Sequence, residues 1–132
     1  MQVYKCRSVE VKRDMDLIRE LLLRIESEPQ LDGSHFTVFN NPADFGDHSQ
    51  EEISYHVDLL FEAGFVKGSR TLDPAPAISK LTWEGHEFVD NIHDPGIWAG
   101  VKERIKGLPS VAITVVAELA LAEMKKRVHL NK

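Results

Sequence analysis

A single cysteine, Cys6, excludes an internal disulfide and leaves no cysteine pair for a zinc site or a redox dithiol. Long apolar runs are missing too. The longest apolar-rich stretch, Val111 to Ala122, is too short to span a bilayer and is broken by Glu118. The first residues, Met1-Gln-Val-Tyr-Lys-Cys-Arg7, lack the apolar segment of a secretory signal. A soluble, cytoplasmic chain with no membrane partner is therefore expected. Catalytic signatures are also lacking: there is no nucleophile elbow and no phosphate-cradling glycine loop. The expectation is a non-enzyme without cofactor or metal. The most informative absence is of positive charge. No Lys or Arg occurs between Arg24 and Lys67, while Ile25 to Val66 carries nine acidic residues.

What is present suits one globular domain with a helical extension. The chain has 132 residues, 42% of them hydrophobic and 28% charged, enough to bury a core without covalent staples. Net charge is −5 but unevenly spread: Ala99 to Lys132 holds seven basic residues against three acids. An acidic middle and a basic end can face different partners. No internal repeat or low-complexity tract is visible.

Periodicity and punctuation set the elements. Met15, Ile18, Leu22 and Ile25, widened by Leu17 and Leu21, predict a helix over about 13–27 that starts at Asp14 and Asp16. His35-Phe-Thr-Val-Phe39 reads as a short strand, and Asn40 to Asp47 as turn chemistry. Ser49 with Glu52 forms a capping box for a helix that buries Ile53, Val57, Leu60 and Phe61 and ends at Gly64. Phe65-Val-Lys67 and Ile78-Ser-Lys-Leu81 are strands flanking a loop with Pro74 and Pro76. Thr82 caps a helix to about Ile92, and Asp94-Pro95 opens another with Ile97, Val101, Ile105 and Leu108 inward. A last helix runs from Pro109 or Ser110 to about Val128.

Two pieces carry a resemblance. Ser54-Tyr-His-Val57 with Leu60, Ala63-Gly64 and Phe65-Val66 resembles the S-x-H-L-x-x-L-x-x-A-G-L-V signature of arsenic-sensor-like and multiple-antibiotic-resistance-like repressors. Leu81-Thr-Trp-Glu-Gly85 resembles their L-T-x-x-G step from wing strand to helix. A wider resemblance runs through Lys12-Arg-Asp-Met-Asp-Leu-Ile-Arg19, Ile53-Ser-Tyr-His56, Leu81-Thr-Trp-Glu-Gly-His-Glu-Phe88 and Ile97-Trp98. These are similar to the uncharacterised bacterial and prophage family catalogued as domain of unknown function 2513. That resemblance implies an α+β, mainly α, winged helix-turn-helix: a small antiparallel wing sheet with two or three extra C-terminal helices. It implies no activity. Residues 1–11 then form an N-terminal arm or extension, 12–93 the winged-helix domain, and 94–132 a helical extension packed on the domain or used for dimerisation. The segment between Leu31 and His48 departs from the regulator pattern, since it reads as strand and turn where a second helix belongs.

Two functions compete. A DNA-binding regulator would contact phosphate through Lys67, Arg70 and Lys80, with Lys102, Arg104, Lys106 and Lys125-Lys-Arg127 in support. It would read bases from Gln50, Ser54 and Tyr55. A protein-interaction adaptor would instead present Glu51, Asp58 and Glu62 to a basic partner. His86, Asp90 and His93 share one helix face but lack metalloprotease spacing and read as a solvated polar face. The last helix is apolar on more than one side, so either its own domain grips it on two sides or it pairs with a second copy through a seam of Val111, Val115, Leu119 and Ala122.

Overall fold

Helix α1 (Met15–Ser27) packs against the helices at Gln50–Glu62 and Trp83–Ile92 and against the strand at Ala77–Leu81. The Asp14 carboxylate caps it by accepting from the backbone N–H groups of Asp16 and Leu17. Leu17, Ile18, Leu21, Leu22 and Ile25 are buried along its inner stripe, each contributing about 1.5–3 kcal/mol through removal of apolar surface from water. In this computed structural model the described residues are 13–70, 76–108 and 111–130. The arm expected over 1–11, with Cys6, lies outside them, as do residues 71–75 of the loop between the two hairpin strands.

Strand β1 (Asp32–Val38) begins three residues before the predicted strand and is mostly exposed. A single 3-10 turn (Pro42–Phe45) follows, capped by Asn41, and seats Phe45 edge-on against Phe39 at 5.7 Å. The expected strand-and-turn character of this stretch is what forms. Then come α2 (Gln50–Glu62), β2 (Val66–Ser69), β3 (Ala77–Leu81), α3 (Trp83–Ile92), α4 (Pro95–Ile105) and α5 (Ile113–Leu130). The three strands form one antiparallel sheet in the order β1-β3-β2. The chain is thus α+β and mainly helical.

A histidine joins α2 to α1. His56 is fully buried on α2. Its Nδ1 lies 2.7 Å from the Glu52 carbonyl, and its Nε2 accepts the Asp14 backbone N–H at 2.8 Å. Only the neutral ring with its proton on Nδ1 makes both bonds. Burial pushes the imidazole below its ordinary value of 6.5, against the raising influence of the Glu52 carbonyl and the Asp14 charge. His48 sits beside it, 3.6 Å from both the Asp14 and Glu52 carboxylates. The Glu52 carboxyl lies below its usual range because the Ser49 N–H donates to it, which completes the capping box.

The turn from α2 into the sheet is locked from the far side. Gly64 takes a φ of +79°, which permits the Phe65 N–H to reach the Leu60 carbonyl. The Thr82 hydroxyl donates to the Gly64 carbonyl at 2.6 Å and accepts from Gly85 N–H, so one side chain caps α3 and holds the end of α2. A Cβ at Gly85 would collide with the Phe65 carbonyl oxygen. This gives the Leu81-Thr-Trp-Glu-Gly85 motif its physical reason: α3 must start flush against the backbone that leaves α2.

The C-terminal helices share the same core. Ile97, Trp98, Val101, Ile113, Val116 and Ala120 are buried with the residues of α1 and α3. Trp98 donates its indole N–H to Asp16 at 2.8 Å, and Lys102 closes on the same carboxylate. Partial burial raises the Asp16 carboxyl, but the indole and the ammonium outweigh it and hold it below 3.8. Arg19 reaches from α1 to the carbonyls of Ile92 and His93 at the end of α3. Two expectations are corrected. Leu108, expected inward, is exposed, because α4 stops at Ile105 and Gly107 turns the chain at φ +84°. Phe61, expected in the buried stripe, is only half-buried, with the Arg70 guanidinium over its ring.

Two outcomes follow from these joints. The folded protein holds His56 neutral while the unfolded chain protonates near 6.5, so unfolding takes up a proton. Stability is fully present above that pH and declines as pH falls through the window down to the depressed folded value. Urea titrations over a pH series should show this slope, and His56→Gln should be less stable yet lack it. Gly85→Ala should cost about 1–3 kcal/mol, as overpacking does, read as a lower urea midpoint at unchanged slope.

Candidate functional site

Glu51, Tyr55, Asp58 and Glu62 recur at i, i+4, i+7 and i+11 along α2, which sets them in one stripe. The opposite side of the helix, Ile53, His56, Val57 and Leu60, is buried. The stripe therefore cannot turn inward. Glu51, Tyr55 and Glu62 are exposed and Asp58 is half-buried. No cation lies on α2 itself.

The nearest guanidinium comes from the hairpin. Arg70, just past β2, folds back on the stripe: its Nε donates to Asp58 Oδ1 at 2.7 Å, and Nη2 lies 2.6 Å from the same oxygen and 3.5 Å from Glu62. One arginine thus answers two of the carboxylates and leaves Glu51 unneutralised. Gln50 and Ser54, expected as base readers, are engaged within the fold. The Gln50 amide donates to the Phe39 carbonyl at 2.9 Å and to the Ser54 hydroxyl at 3.0 Å. Tyr55 stays at the surface, 38% exposed, its ring edge-on to His56 at 5.4 Å.

Lys67 and Lys80 stand directly opposite each other on β2 and β3, both exposed. Like charges so placed repel. Asp32 on β1 faces Lys80 from the other side. The basic residues of the C-terminal helices are largely answered within the molecule. Lys102 meets Asp16 at 2.9 Å, Arg104 meets Glu123 at 2.8 Å, and Arg127 meets Asp94 at 3.3 Å. Lys126 lies 3.8 Å from Glu123. These ties are what the sequence could not show, because most join residues far apart in the chain.

His86, Asp90 and His93 are all exposed, and among the described residues no three His, Cys, Asp or Glu side chains converge as metal ligands. An open groove of about 670 Å³ between the start of α1 and the end of α4 carries charges of both signs, including the Asp16–Lys102 pair. Of the expected seam on the last helix, Val115 is exposed, whereas Val111 and Leu119 pack partly against the protein's own core. Among the described residues no helix is long and apolar enough to cross a membrane.

Comparison with known proteins places the chain in a family. The chain belongs to the family described as "Hypothetical protein (DUF2513)", whose match covers residues 12–112. An uncharacterised protein of Haemophilus influenzae is similar, 35% identical over 121 residues that cover 86% of this chain and 98% of that protein. No solved structure matches.

The Arg70–Asp58 tie is open to solvent, with side chains 45% and 37% exposed, so a double-mutant cycle of Arg70→Ala and Asp58→Ala should return a coupling of about 1 kcal/mol or less. Denaturant unfolding at low and high salt measures it, and the coupling should shrink as salt rises.

Proposed function

We propose that this protein is a winged-helix interaction module that offers the acidic stripe of α2 to a basic protein surface. The element order α1-β1-turn-α2-β2-β3-α3 with sheet order β1-β3-β2 supports the winged-helix reading. Within that architecture α2 takes the place of the recognition helix and the β2–β3 hairpin that of the wing. The observation that carries the function is the charge of that helix. Its solvent stripe is Glu51, Tyr55, Asp58 and Glu62, and the hairpin's arginine is spent on two of those carboxylates. A surface built to meet phosphate keeps its cations free, because neutralising phosphates supplies most of the affinity for DNA. Tyr55 amid carboxylates suits a protein partner, since tyrosine adds contact area and a hydroxyl at little entropic cost.

A second reading, a DNA-binding regulator, is favoured by the Lys67–Lys80 pair. Two lysines side by side on the sheet gain from an anion placed between them, and a duplex backbone supplies one. Of its other phosphate contacts, Arg70, Lys102, Arg104 and Arg127 would each have to break an ion pair.

Fluorescence anisotropy of the whole chain with two probes, a lysine-rich helical peptide and a random DNA duplex, separates the readings. Peptide affinity should fall with salt and weaken by about tenfold or more in the Glu51→Lys/Glu62→Lys variant, as reversal of a charged contact surface does. Duplex binding at low salt that Lys67→Glu/Lys80→Glu abolishes would instead establish the regulator. Peptide binding indifferent to α2 would overturn the proposal.

A further inference from the structure

Helix α5 buries only one of its sides within the molecule. Ile113, Val116 and Ala120 are buried, and Glu123 on the same side takes the Arg104 guanidinium. The other side carries Val115, Glu118, Leu121, Ala122, Lys125 and Val128 at three- and four-residue steps, an apolar stripe with one acid and one base set into it. Val115, Leu121 and Val128 are 42%, 45% and 53% exposed. Three large aliphatic groups exposed on one helix are apolar surface that a partner can cover.

The two charges identify what covers the stripe. Neither Glu118 nor Lys125 has an ion-pair partner among the described residues, whereas Arg127 and Lys126 are matched by Asp94 and Glu123. Glu118 and Lys125 lie two turns apart, about 10.5 Å along the axis, too far to meet each other. A second copy of α5 running antiparallel removes the mismatch. With the two-fold axis passing between positions 121 and 122, Glu118 of each copy faces Lys125 of the other. Val115 faces Val128, and Leu121 faces Ala122. The same operation lays the basic end of one helix, Lys125 to Arg127, over the N-terminal half of the next, whose one acid is Glu118. Beside that half lies an apolar groove of about 340 Å³, with Phe65, Phe88, Ala117 and Leu121 in its walls and Glu84 and Glu87 at its edge.

The geometry points to a homodimer formed by antiparallel pairing of α5, held in register by two Glu118–Lys125 contacts. This seam differs from the one periodicity suggests, because Val111 and Leu119 turn toward the protein's own core. A parallel arrangement would set Glu118 against Glu118 and Lys125 against Lys125, so the charge pattern selects direction as well as partner.

Sedimentation equilibrium of the full chain tests this through a charge swap. The wild-type chain should dimerise. Glu118→Lys and Lys125→Glu should each weaken dimerisation by about tenfold, since each turns two attractions into repulsions. The double variant Glu118→Lys/Lys125→Glu should recover the wild-type constant, and circular dichroism should show all four chains equally folded. A monomeric wild type, single variants that dimerise as well as wild type, or a double variant that fails to recover would each overturn the inference. The recovery arm keeps the test decisive even if one single variant folds poorly.

Discussion

One neutral imidazole joins the two helices on which this fold is organised. His56 is held by α2's own backbone on one ring nitrogen and accepts the first free N–H ahead of α1 on the other. The bond satisfies a backbone donor that helix geometry would leave open, and it fixes how far apart the two helices sit. The outward direction of α2 follows from that clamp. With Ile53, His56, Val57 and Leu60 facing α1 and the sheet, Glu51, Tyr55, Asp58 and Glu62 have nowhere to point but outward. The acidity of the surface is thus a consequence of how the core is closed.

Where structure is set by neighbours in the chain, the sequence was a sufficient guide. Ser49 and Glu52 cap each other across three residues, Thr82 caps α3, Asp94 and Pro95 open α4, and Gly64 and Gly107 turn where left-handed backbone is needed. Each relies on local geometry that residue type nearly dictates. Strand β1 was only half legible. Asp32, Gly33 and Ser34 have turn chemistry, yet pairing with β3 draws them into the sheet across an irregular register. Leu108 shows the reverse failure, since its spacing continues the helical pattern past the point where the helix has ended.

The candidate surface was legible in its composition and hidden in its bonding. A gap in positive charge from Ile25 to Val66 is plain on reading. That Arg70 returns to Asp58, that Asp16 gathers both Trp98 and Lys102, and that Gln50 turns in toward Phe39 are facts of tertiary proximity. They change the meaning of the surface. Counted in the sequence, the hairpin and the C-terminal helices offer many cations; in the fold most of these are already neutralised by carboxylates, while α2 keeps its negative field.

The Asp16 carboxylate takes the indole of Trp98 and the ammonium of Lys102, and Arg19 anchors α1 to the last carbonyls of α3. The two Asp16 links weld the final forty residues or so to the first helix across most of the chain. A fragment cut after His93 would take Ile97, Trp98, Val101, Ile113, Val116 and Ala120 out of the shared core and bare the apolar groups they cover. The tail is accordingly part of the keel, and any attempt to trim the protein to its hairpin and central helices should expect to lose the vessel.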